Sequence, residues 1–206
     1  NDGTYNVIGG TIANAITGEG SINVTANTTN NSEITQKVIQ IADNVTFTND
    51  GELISSFNLG ETQTIDGAGS LTISDNSSNA GTITQNSLAV NQGKTFTNTG
   101  DVTVNGNLAN NGTLTNDSNL TVGGGTENDP SVISGNEITG AGTTSIAGIV
   151  ENQTTISQAV NIASAGNLDN SSGTINGDVA NKGVLTSNFN TISGTVTNDG
   201  TFNVIG

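Results

Sequence analysis

The residues able to do chemistry are few and nearly all of one kind. The chain has no His and no Cys, three Lys and Arg against eighteen Asp and Glu, and a formal net charge of -15 over 206 residues. Without imidazole or thiol, the usual catalytic triads and thiol nucleophiles are excluded, and zinc loses its main ligands. What remains is carboxylate chemistry. Two acids can cleave a glycosidic bond when one donates a proton and the other acts as base or nucleophile at a set distance. Here the acids are scattered singly, often in turns, as at Asp50 and Asp199, and Lys37, Lys94 and Lys182 are the only basic residues. No catalytic residue is assigned, and the chain is expected not to be an enzyme.

Calcium is the metal with the better case, because acidic loops offer it oxygen ligands. Glu127 and Asp129, in a Gly-rich stretch, are the candidate ligands, with Glu61 and Asp66 as a second pair. No D-x-D-x-D-G loop and no G-G-x-G-x-D nonapeptide is present, so the plain reading of these acids is a solvated surface, with no cofactor. The scarcity of positive charge argues against nucleic acid and anionic membranes as partners. Asn-x-Thr sequons occur at Asn23, Asn27, Asn44, Asn111, Asn119 and Asn152, a frequency that a chain rich in Asn and Thr reaches by composition. Thr-x-Thr triplets start at Thr46, Thr95, Thr113 and Thr195, spaced too irregularly for one ordered ice-binding array.

The elements that must carry these residues follow from composition. Hydrophobic residues make up 31% and aromatics 3%, with no Trp or Met and one Pro, too little bulk for a compact globule. The chain is rich instead in Thr, Ile and Val, which favour strands, and in Asn and Gly, which favour turns. N-x-G tripeptides recur at Asn49, Asn79, Asn98, Asn110, Asn181 and Asn198, each followed by a short stretch alternating apolar and polar residues. Period-two alternation sends one face of a strand inward. In DVTVNGNL, Val102, Val104 and Leu108 are expected inside, and Thr103 and Asn105 outside.

Short strands with small aliphatic residues do not fill the space between two packed sheets, whereas stacked coils of a parallel β-solenoid need nothing larger. Corner Asn residues are expected to adopt the left-handed backbone and to bond along a ladder from coil to coil. With coils of roughly 20 residues at about 4.8 Å per layer, about ten coils form a rod on the order of 50 Å long. GGGTENDPSVISG, from Gly123, holds the only proline and is expected to be a loop insertion near 123–135 with no assigned strand.

Repetition occurs on two scales. NDGTYNVIG at Asn1–Gly9 returns as NDGTFNVIG at Asn198–Gly206, with Tyr5 replaced by Phe202. Within the chain, the segment around Phe47 matches that around Phe96 at an offset of 49, and I-[TS]-Q blocks open at Ile34, Ile83 and Ile156. Residues 1–206 therefore form one unit, an uncapped slice of a longer rod, in which 198–206 begins the next copy of a 1–197 repeat.

The stretches NTGDVTVNGNLANNGTLTNDSNLTVGGG, from Asn98, and NKGVLTSNFNTISGTVTNDGTF, from Asn181, resemble the passenger regions of bacterial autotransporters and the repeat rods of filamentous-haemagglutinin-like adhesins. The resemblance implies a right-handed parallel β-helix, secreted or displayed on the bacterial outer surface. Neither the secretion domain nor the membrane barrel of such proteins is found in the sequence, so it leaves the route open. The expected function is a structural repeat of a fibre, an adhesin stalk or filament, whose partners are neighbouring copies set end to end. The alternatives are a module recognising a glycan or host protein and, more remotely, a polysaccharide-processing enzyme.

Overall fold

The computed structural model describes residues 1–188 and 191–205; Phe189 and Asn190, in the stretch quoted from Asn181, and Gly206, the last residue of the repeated NDGTFNVIG, lie outside them. Every regular element among the described residues is a strand, and every pairing between strands is parallel. The chain winds through three faces per coil and repeats this eleven times, as the 11-stranded sheet of the second face shows. It is a three-sided parallel β-solenoid. Equivalent residues on that face lie 16 to 19 residues apart, as in Gly10↔Thr28 and Thr143↔Ala159. The exception is Asn119↔Thr143, where one coil carries extra residues.

The first face begins with Thr4–Val7 and Ser21–Val24, and the third with Ile16–Thr17. The long strand Glu33–Ile41 rounds the corner between these faces. Its Ile34 and Thr35 pair with Ile16 and Thr17, and its Val38–Ile41 with Ser21–Val24. From there the third face continues through Glu52–Ser56 without a break to Val184–Asn188 and Thr201–Ile205. The first continues as the seven-stranded sheet from Asn58–Leu59 to Thr174–Ile175.

Inward positions stack into aliphatic columns, for example Ile65, Ile83, Val102 and Leu120 on the second face. Val102, Val104 and Leu108 are buried as expected, and Asn105 is exposed. Leu108 belongs to the next strand, Leu108–Asn110, because the chain turns at Asn105. Phe47, Phe57 and Phe96 are the largest core side chains; Phe57 and Phe96 meet edge-on at 6.0 Å between ring centroids.

Two expectations change. Ser131–Gly135 is a strand of the third face, so the insertion is confined to Gly123–Pro130. Among the described non-glycine residues only Asn44 is left-handed (φ 59°), so the N-x-G asparagines turn their corners without positive φ. The glycine of the motif is needed for another reason. A Cβ on Gly51, Gly81, Gly100 or Gly183 would lie 2.1 to 2.2 Å from a backbone oxygen of the coil below.

Candidate functional site

Glu127 and Asp129 lie at the tip of the insertion, where Thr126 and Asp129 close a tight turn through two backbone hydrogen bonds of 2.9 and 3.2 Å. Both carboxylates are exposed, as are Glu61 and Asp66. Among the described residues no group of three or more Asp and Glu converges as a cation site would require. Two of the three lysines lie near Asp75. Lys94 forms an ion pair with it at 3.0 Å, both side chains partly exposed. The backbone N–H of Asn76, then Lys94, then the more distant charge of Lys37 hold the Asp75 carboxyl below its usual pKa. A single surface pair of this kind anchors a corner weakly.

The threonine triplets divide between faces. Thr95 and Thr97 stack under Thr113 and Thr115 on the first face, whereas Thr46–Asn49 runs on the second. Among the sequons, Asn27, Asn44, Asn111 and Asn119 are exposed, but Asn152 is fully buried and beyond the reach of a modifying enzyme.

The concentrated polar chemistry lies at the corners, inside the solenoid. Asn30, Asn49, Asn79, Asn98, Asn116, Asn152, Asn170 and Asn181 end their strands with side chains turned into the core, each exposed by 1% or less. Burying an amide is costly unless its hydrogen bonds are met, and here they are met by the next coil. Asn98 shows the pattern. Its Nδ2 donates to Asn116 Oδ1 (2.7 Å), to the carbonyl of Gly100 (3.0 Å) and to that of Asn119 (3.1 Å). Its Oδ1 accepts from Asn79 Nδ2 (2.8 Å) and from the N–H of Gly100 (3.3 Å).

Three ladders end in the same way. In the coil above the last Asn stands a left-handed glycine, and in the coil above that a buried Gln. Gly67 (φ 124°) lies over Asn49, and Gln85 Oε1 reaches past it to accept from Asn49 Nδ2 at 2.7 Å. Gly18 lies over Asn1, with Gln36 Oε1 at 2.8 Å from Asn1 Nδ2. Gly140 lies over Asn116, and Gln158 Oε1 accepts from Asn116 Nδ2 at 3.1 Å when its amide is turned to satisfy both partners. A side chain on the glycine would strike the Asn backbone at 2.2 to 2.4 Å, so the gap that Gln spans exists only because Gly lies there.

The I-[TS]-Q blocks are these terminators. Their sequence signal was the block itself joined to a Gly about 18 residues earlier, at Gly18, Gly67 and Gly140. Two ladders lack the device: Asn152–Asn170 ends on the Ser187 hydroxyl, which accepts from Asn170 Nδ2 at 3.1 Å, and the other is the column of Asn110. Over Asn110 and Gly135 stands Thr154, whose hydroxyl bonds the carbonyls of Gly135 and Asn136 and stops there. Asn110 Oδ1 is the one buried side-chain polar atom left without a partner among the described residues.

The chain is a parallel β-solenoid with buried asparagine ladders at its corners. No family model, no curated protein and no solved structure matches the chain.

Proposed function

We propose that the chain is a structural repeat of a secreted or surface-displayed bacterial fibre, an adhesin stalk or filament, and that it catalyses nothing. The observation that carries this reading is where its unsatisfied surface lies. The large hydrophobic side chains exposed among the described residues are Tyr5, Ile8, Phe202, Val204 and Ile205, all in the first and last coils. The sides of the solenoid carry Thr, Asn, Ser and scattered acids, fitting a shaft that stays soluble along its length and makes its contacts at its ends. Buried Asn ladders suit the same role, since they fix the coil register along the axis.

Negative-stain microscopy and intact mass of the native material, beside the isolated 206-residue chain, test the proposal. Long rods built from this sequence are expected. Compact particles, or hydrolysis of a polysaccharide by the isolated chain, would contradict it.

A further inference from the structure

We propose that consecutive copies of this segment join by overlap. Residues 198–206 of one copy serve as residues 1–9 of the next, and each copy is turned by one face about the axis relative to the last. The inference rests on the repeat-fibre reading and adds the geometry of its joint.

Asn-Asp-Gly occurs three times in the chain. The internal one, Asn49-Asp50-Gly51, has coils on both sides. Below, its amides donate to Asn30 O (2.9 and 3.0 Å), and Asn49 Oδ1 accepts from Asn30 Nδ2 (2.8 Å). Above, Asn49 Nδ2 donates to Ser70 O (2.9 Å) and Gln85 Oε1 (2.7 Å), Asp50 Oδ1 accepts from the N–H of Ala68 (3.0 Å), and Gly51 O accepts from Ser70 (2.9 Å).

Asn1-Asp2-Gly3 makes the upper half of this set. Asn1 Nδ2 donates to Ser21 O (3.2 Å) and Gln36 Oε1 (2.8 Å), Asp2 Oδ1 accepts from the N–H of Glu19 (3.2 Å), and Gly3 O accepts from Ser21 (2.9 Å). Asn198-Asp199-Gly200 makes the lower half. Asp199 N donates to Asn181 O (2.8 Å), and Asn198 Oδ1 accepts from Asn181 Nδ2 (2.6 Å). One Asn-Asp-Gly holding both halves reproduces every bond of the internal corner described above but one, that from Gly51 N to Asn30 O.

The joint also continues the order of the ladders. Asn1–Gly18–Gln36 runs at the end of the third face, Asn30–Asn49–Gly67–Gln85 at the second, and Asn79–Asn98–Asn116–Gly140–Gln158 at the first. Asn152 and Asn170 return to the third face, and Asn181 and Asn198 to the second. Merging Asn198 with Asn1 gives the second-face ladder its missing Gly18 and Gln36. It places the next ladder, from Asn30, at the first face, so the order third, second, first that opens the chain is repeated across the joint from Asn170 onward.

The turn of one face follows because Thr4–Val7 lies on the first face and Thr201–Ile205 on the third. Apolar surface agrees. Phe202, 37% exposed and paired with Leu185, takes the place of Tyr5, 49% exposed and paired with Ile22. The open end of the core over the first coil, a depression of about 600 Å³ walled by Tyr5, Val7, Ile12 and Ile16, then receives the Leu185 coil of the preceding copy.

The test is a two-copy chain in which Gly10 follows Gly206 directly, carrying Tyr5→Phe at the start of the first copy and Phe202→Tyr at the overlap, read by acrylamide quenching of the single tyrosine. The result expected is a several-fold loss of quenching relative to the single Y5F/F202Y chain, and one unfolding transition at a higher midpoint. A second two-copy chain, in which Asn1 follows Gly206 without overlap, is expected to keep its tyrosine at position 202 quenchable and to melt in two steps. Equal quenching in the overlapped and single chains, or an overlapped chain that does not fold where the single one does, would overturn the joint. Rods from the native material would then leave the fibre reading standing with a different register.

Discussion

At the scale of single residues, the solenoid depends on two that are ordinarily turn formers. Asn works here as a buried connector and Gly as an absence of side chain. Replacing Asn98 by Ala strands buried Asn116 Oδ1, which accepts from it at 2.7 Å, and takes from Asn79 Nδ2 its shortest partner, at 2.8 Å, leaving bonds of 3.3 Å. The expected loss is about 2–4 kcal/mol in urea unfolding, whereas Asn111→Ala at an exposed position should change stability by less than about 0.5 kcal/mol. The glycines separate by cause. Gly100→Ala sets a Cβ 2.2 Å from Gly81 O and should cost about 3 kcal/mol through coil separation. Gly93→Ala, at φ 73° with open space around it, should cost only about 1 kcal/mol of backbone strain. The same unfolding curves distinguish the two.

At the scale of the element, the unit is not the strand but the corner ladder and its ending. A strand of three or four residues buries one or two aliphatic side chains, and register errors between such strands are cheap unless something marks position. The Asn column marks it, and the Gly-then-Gln ending lets the corner return to an aliphatic column, as Gln85 does beneath Val104. Gln85→Asn should destabilise nearly as much as Gln85→Leu, because a side chain shorter by one methylene cannot span the Gly67 coil to Asn49. Comparing the two midpoints checks this.

Much of this scale was legible in the sequence. The alternation in DVTV fixed which residues of Asp101–Val104 face inward, and the N-x-G spacing located the corners. The strand at Ser131–Gly135 was masked by the flanking glycines and proline of the insertion. The left-handed role assigned to Asn failed because propensity describes an isolated turn, whereas here a stacked coil supplies the amide's partners. The terminators were visible as repeated I-[TS]-Q blocks. Their purpose was not, because it joins residues two coils apart through a glycine whose importance is steric.

At the scale of the whole molecule, eleven coils stack into a rod about 50 Å long at the usual strand spacing. The offset of 197 between its matching ends spans ten coils and two further faces, where the sequence suggested about ten whole coils. Its charge of -15 is borne on the outside, and stacking sets some acids directly over one another, as Glu33 over Glu52 and Glu151 over Asp169. Like charges paired across strands repel, so moderate salt should raise the thermal midpoint by screening them. A midpoint indifferent to salt would mean that the acids stand too far apart in solution to interact.

Buried asparagine ladders hold the coils in register, and side-chain amide exchange in nuclear magnetic resonance reads their protection at single residues. The Nδ2 protons of Asn49, Asn98 and Asn170 are predicted to exchange with solvent far more slowly than those of exposed Asn111, and with protection close to that of the strand amides beside them. Equally rapid exchange at all four would contradict the account.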